Sequence, residues 1–229
     1  MRDLHRQQVS KMFIINCKNY NEISGEKINK LATIAEKISK KHKIQIALAP
    51  PHHQLASIKK SKLLVFAQHL DDAKIGSTTG YMIPEIVKKS KVNVALINHS
   101  EHRISSKEIE KLVLKLKELK MISIVCVKDV AEVKKYLKIN PDFIAIEPPE
   151  LIGSGKAIST EKPDLIQKAA KIVNDSKNKT KLLCGAGIVS GEDVAKSLEL
   201  GSKGILVASG IIKAKNWNKI ISEFAKALV

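Results

Sequence analysis

Glu147 stands at the end of the apolar run Phe143-Ile144-Ala145-Ile146 and directly before Pro148 and Pro149. A buried strand rarely ends on an unpaired acid without a reason, and a carboxylate placed there is a candidate general base. Two other apolar runs lead into groups that could work with it. Asn16 and Lys18 lie at the end of the run 13–17, and Asn98-His99-Ser100-Glu101 follows the run 92–97. A carboxylate, an imidazole and an ammonium together can remove a proton beside a carbonyl and stabilise the charge that forms on its oxygen. Each group also has a plainer reading. Glu147 could cap a helix or sit in a salt bridge, His99 could be structural, and Lys18 could be one more surface lysine. The loops Gly153-Ser154-Gly155, Gly185-Ala186-Gly187 and Ala208-Ser209-Gly210 are either ordinary turns or backbone cradles for phosphate.

Other chemistries fit less well. Gly153-Ser154-Gly155-Lys156 is close to a P-loop, but Glu150 stands where its first glycine belongs and Ala157 replaces serine or threonine. Gly185-Ala186-Gly187-Ile188-Val189-Ser190 nearly matches a dinucleotide fingerprint, but serine replaces the third glycine and no second mononucleotide-binding half follows. His52, His53, His69 and Asp71, or His99 with His102, make a weak metal site without zinc-type spacing. Neither metal nor cofactor is expected. Cys17, Cys126 and Cys184 are odd in number and lie in or at the ends of apolar runs, which suits buried reduced thiols in a cytosolic protein.

These groups need a frame. Eight β-rich runs recur, at 13–17, 44–49, 63–68, 92–97, 122–127, 143–147, 181–184 and 204–207. Most are continuously apolar, as in a parallel sheet covered on both faces. Between them lie helical stripes. Ile28, Leu31, Ile34, Ala35 and Ile38 form one, and Ile109, Leu112, Leu116 and Leu119 another. Ser105 with Glu108, and Asp129 with Glu132, have capping-box spacing, while Pro84 and Pro163 suit first-turn positions. Eight strand–helix alternations favour a closed α/β barrel, (β/α)8, over an open doubly wound sheet. Its strand ends would gather the candidate groups on one rim. With no linker or composition break, residues 12–229 read as a single catalytic domain. Residues 1–11 read as a polar extension outside the fold, either disordered or lying ahead of a natural start at Met12.

The chain has 229 residues and a formal net charge of +17, mostly lysine. The lysines are scattered along helical segments and interspersed with glutamate. Aromatic residues make up only 3%, leaving few platforms on which bases could stack. A solvated basic surface is the favoured reading, and a nucleic-acid-binding barrel the non-enzymatic alternative. No run approaches the roughly 18 apolar residues of a membrane helix.

In order along the chain from Met12, the motifs resemble the triosephosphate isomerase family. They are Asn16-Cys17-Lys18, Ala49-Pro50-Pro51, Gly76-Ser77-Thr78-Thr79-Gly80, Asn98-His99-Ser100-Glu101, the segment from Glu147 to Gly155, Cys184-Gly185-Ala186-Gly187 and Ala208-Ser209-Gly210. The Pro-Pro-Glu-Leu-Ile lid and the short segment 130–137 are similar to the family's archaeal-type short form. The resemblance implies interconversion of dihydroxyacetone phosphate and D-glyceraldehyde 3-phosphate through an enediolate, in glycolysis and gluconeogenesis. It implies Glu147 as the base and His99 as a neutral electrophile. Lys18 would stabilise the oxyanion, Asn16 orient substrate oxygens, and Glu101 hold the network or assist proton movement. Backbone groups near Ile152, Gly153, Gly185, Ala208 and Ser209 would hold the phosphate under a lid spanning residues 148–156. It further implies a cytoplasmic homotetramer or homodimer, with no nucleic-acid or membrane partner. His102 departs from the family, standing where many members carry arginine beside the glutamate. Another phosphate-binding barrel isomerase or synthase is the alternative, although it leaves His99, Glu101 and the lid without a role.

Overall fold

The computed structural model describes residues 11–58 and 61–229. Eight parallel strands close on themselves in sequence order. They are β1 (Met12–Asn16), β2 (Gln45–Ala49), β3 (Leu64–Ala67), β4 (Val94–Ile97), β5 (Ile122–Val127), β6 (Phe143–Ile146), β7 (Lys181–Gly185) and β8 (Gly204–Val207). Around them run α1 (Lys27–His42), α2 (Pro84–Lys89), α3 (Ser106–Glu118), α4 (Val130–Leu137), α5 (Ile158–Glu161), α6 (Pro163–Asp175), α7 (Gly191–Glu199), α8 (Ser209–Ile212) and α9 (Trp217–Leu228). The expected closed (β/α)8 barrel is the fold observed.

Period-two alternation sorts the strand side chains. Met12 and Ile14, Ala47 and Ala49, Val94 and Leu96, Ile124 and Cys126, Phe143 and Ala145, with Leu183 and Leu206, fill the barrel. Their neighbours Phe13, Ile15, Ile46, Leu48, Ile205 and Val207 face outward onto α1 and α9. Ala95, Ile97, Val125, Ile144, Ile146 and Leu182 do the same toward α3, α4 and α6. Runs buried on both faces read as continuous apolar sequence for this reason.

The caps fall where the sequence puts them. Ser105 forms a capping box with Glu108, Asp129 accepts from the Glu132 N–H, and Pro84 and Pro163 occupy first turns. The connection from β2 to β3 departs from the helical expectation and is a 3-10 turn over His52–Ile58. It follows Pro50 and Pro51 and buries only Gln54 and Ile58, too few apolar positions for a helix stripe. β3 and β4 are also shorter than their apolar runs, and β3 meets β2 in register only at Ala47–Leu64 and Leu48–Val65.

Residues 1–10 of the expected polar extension lie outside the described residues. Lys11, its last residue, donates from its ammonium to the Leu228 carbonyl at 2.7 Å. No helix among the described residues is long and apolar enough to cross a membrane.

Candidate active site

The inward parity of each strand decides what reaches the barrel mouth. On β1 the series Met12, Ile14 continues to Asn16, and beyond β6 the series Phe143, Ala145 continues to Glu147. Both therefore arrive on the inner rim, 5% and 6% exposed. Parity alone would send His99 outward with Ala95 and Ile97. Asn98 breaks the alternation by taking φ 64°, a left-handed conformation that asparagine tolerates better than most residues. The Asn98 amide donates to the Cys126 carbonyl at 3.1 Å and its Oδ1 accepts from the Ile104 N–H at 3.2 Å. The turn is thereby pinned to β5, and His99 swings over the mouth.

His99 Nδ1 accepts from the Glu101 N–H at 3.2 Å. A neutral ring that accepts there carries its proton on Nε2, and Nε2 lies 3.8 Å from Glu147 Oε2. Lys18, itself at φ 45°, ion-pairs with Glu101 Oε1 at 2.6 Å. Glu101 therefore has a cationic partner in Lys18, although His102 and not a cation follows it in sequence. His102 instead stacks on His69, with ring centroids 3.9 Å apart. Arg103, the next residue, pairs with Glu132 at the start of α4.

Burial drives the Glu147 carboxyl above the usual carboxylate range, against the opposing pull of His99, the Cys126 thiol and Lys18. Its Oε2 has no hydrogen-bond partner. A buried carboxylate with a raised proton affinity and a free oxygen suits a proton acceptor. Cys126 sits one inward position down on the neighbouring strand, and its thiol is among the groups that favour the ionised Glu147 carboxylate. Sequence alone marked it only as a buried thiol, since cross-strand register is not written locally.

Between these groups and the loops after β6, β7 and β8 is a small cavity, of about 30 Å³. Asn16, Lys18, His99, Glu147, Ile152, Gly153, Ala208 and Ser209 all line it. Glu101 lies behind Lys18 and borders the adjoining groove. Gly185 is not among the lining residues. A Cβ there would stand 2.6 Å from Glu147 Oε1, so this glycine leaves room for the carboxylate. The lining residues that sequence reading did not single out as ligands are Ala186, Gly187, Ile188, Leu206, Val207 and Gly210. Their signal was the small-residue loops themselves, which do not reveal which residue faces inward.

The segment expected to be the lid begins with a 3-10 turn, Pro149–Leu151. Gly153 and Gly155 take φ 71° and 74°. Ser154 Oγ donates to the Leu151 carbonyl at 2.8 Å and accepts from the Lys156 N–H at 3.0 Å. A neutral imidazole donor, a carboxylate acceptor and an ammonium around one polar cavity can shuttle a proton between adjacent carbons of a small anionic carbonyl compound.

The comparisons agree with this chemistry. A family model described as triosephosphate isomerase matches residues 11–224. A triosephosphate isomerase of Cenarchaeum symbiosum (strain A) is 54% identical over 219 residues, covering 96% of this chain and 98% of that protein. Those of Methanothermus fervidus and Methanocaldococcus jannaschii are 41% and 40% identical, covering 93% and 94% of this chain and 96% and 99% of theirs. An unrelated phosphate-binding barrel and a nucleic-acid-binding barrel are thereby set aside: the chain belongs to the triosephosphate isomerase family.

Proposed function

We propose that the family's reaction runs in this chain through Glu147 as base and His99 as electrophile. The enzyme interconverts dihydroxyacetone phosphate and D-glyceraldehyde 3-phosphate, a step of glycolysis. Glu147 removes a proton from the carbon beside the carbonyl and returns it to the neighbouring carbon. His99 donates from Nε2 to the carbonyl oxygen as it becomes an enediolate oxygen. The observation that carries this reading is the 3.8 Å approach of His99 Nε2 to the unpartnered Glu147 Oε2 across one cavity. Lys18 stabilises the developing oxyanion, Asn16 orients the substrate oxygens, and Glu101 holds Lys18 and His99 in register.

The phosphate sits against Ile152, Gly153, Ala208 and Ser209. Ser209 and Gly210 open α8 before its first intrahelical bonds, which leaves their N–H groups available. Gly185 assists by giving Glu147 its space. The lid keeps water from the enediolate.

Shortening the base tests this directly. Glu147→Asp withdraws the carboxylate by one methylene, and turnover falls about 100-fold or more, while inorganic phosphate still competes with its native inhibition constant. Native turnover would remove Glu147 from the role.

Self-association belongs to the same reading, as a homotetramer or homodimer. The loop Gly76-Ser77-Thr78-Thr79-Gly80 is exposed and flanked by Ile75 and Tyr81, large apolar residues 58% and 56% exposed. Sedimentation equilibrium should give two or four times the chain mass; a monomer would reject it. The buried, unpaired thiols of Cys17, Cys126 and Cys184 are in keeping with a reducing compartment, the cytoplasm.

A further inference from the structure

Beside the active-site cavity lies a second, wider groove, of about 540 Å³, which shares Asn16, Lys18 and His99 with it. Its wall carries His52, His53, His69 and His102, none of which the reaction uses. His52 Nε2 accepts from the His69 backbone N–H at 3.2 Å. One residue earlier, the Gln68 amide donates to the Lys18 carbonyl at 3.1 Å and to the Ala49 carbonyl at 2.9 Å. The peptide joining Gln68 to His69 is therefore gripped by His52, and the Gln68 side chain grips the backbone of Lys18. Lys18 needs such a hold, because a non-glycine residue at φ 45° is strained and relaxes when its surroundings loosen.

We propose that His52 is a positioning residue for the isomerisation, keeping Lys18 turned into the cavity through the Gln68–His69 peptide, and only while its ring is neutral. A neutral ring protonated on Nδ1 offers the Nε2 lone pair to the His69 N–H. A doubly protonated ring has no lone pair and sets N–H against N–H. The surroundings favour the neutral form. Burial, then the neighbouring imidazoles His69, His102 and His53, lower the proton affinity of His52, while Asp71 opposes them. Burial and His102 lower that of His69, with Asp71, 3.3 Å from its Nε2, and Glu108 opposing. Lys18 and Glu101 border the same groove, and Asp72 is held by Lys111. The contact thus persists at neutral pH and is lost below the ordinary histidine range. The inference rests on the role of Lys18 proposed above.

Two substitutions test it. His52→Gln supplies an acceptor oxygen of similar reach that does not titrate, whereas His52→Ala supplies none. The native acid limb of kcat/KM contains the His52 step together with those of Glu147 and the substrate phosphate, and the last two are common to every variant. Expressed against its own neutral plateau, His52→Gln should therefore retain about 3- to 10-fold more activity than the native enzyme near pH 5, the worth of one hydrogen bond. His52→Ala should raise KM by a similar factor at neutral pH with an unchanged circular dichroism spectrum. Superimposable native and His52→Gln profiles would overturn the proposal, and if His52→Ala does not fold those profiles alone decide. Lys18→Met is measured alongside. If it remains active, the reading of Lys18 itself fails. If it is inactive while both His52 variants behave as native, only the His52 inference fails.

Discussion

At the scale of single residues, the proposed active site trades stability for reactivity. Glu147 is buried with one oxygen unpartnered, and its carboxyl holds a proton more tightly in the folded chain than in the unfolded one. Folding is then favoured with the group protonated, and stability falls as pH rises through the raised value. Glu147→Gln keeps the shape and removes the charge. At pH 8 the variant should melt several degrees higher, at about 2–4 °C per kcal/mol released, and be inactive. Its advantage should shrink as pH falls toward the unfolded carboxylate range. Scanning calorimetry at several pH values checks this, and a pH-independent difference would contradict it. Asn98 shows the complementary economy: one left-handed residue, anchored to Cys126 and Ile104, turns a side chain that strand parity would waste on the outer face.

At the scale of elements, the proposed lid and the loop after β7 are fitted to each other. A Cβ on Gly187 would lie 1.8 Å from the Lys156 carbonyl oxygen, and the residue sits at φ 69°. Gly153, inside the lid, has a similar φ of 71° but open space around it. Gly187→Ala must push the end of the lid away, whereas Gly153→Ala adds only backbone strain of about 1 kcal/mol. Gly187→Ala should therefore lose the more kcat/KM and expose residues 148–156 to proteolysis, measured by limited digestion with and without phosphate. Equal effects of the two substitutions would mean that the contact with Lys156 does not seat the lid. The same logic explains β8 meeting β1: Gly204, at φ 147°, passes so close that a Cβ would stand 2.0 Å from the Met12 carbonyl oxygen.

At the scale of the whole molecule, the charge of +17 acts as a field rather than as a set of contacts. The substrate is a small anion, so a positive surface raises its encounter rate without touching the chemical step. Raising ionic strength from about 0.01 to 0.3 M, which shortens the screening length to well under 10 Å, should lower kcat/KM several-fold and leave kcat unchanged. Stopped-flow or steady-state assays in sodium chloride read this out. A fall in kcat instead would place the effect on Lys18 and Glu101, whose 2.6 Å ion pair lies at the mouth.

The sequence by itself determined the barrel, because eight doubly buried strands and their amphipathic helices follow from local apolar periodicity. It also marked Asn16, Lys18, His99, Glu101 and Glu147, since a polar residue ending an apolar run is visible one strand at a time. It implied a helix at the second crossover, where seven residues after two prolines form a 3-10 turn instead. Only the tertiary structure decided which residues of the glycine loops face the cavity, that Gly185 lies beneath Glu147, and that Cys126 comes up on the strand beside it. It alone drew His52, His69 and Gln68 up against Lys18. These are contacts between strands distant in sequence, set by barrel register and by single left-handed turns such as Asn98. No local pattern of residue types encodes such distances.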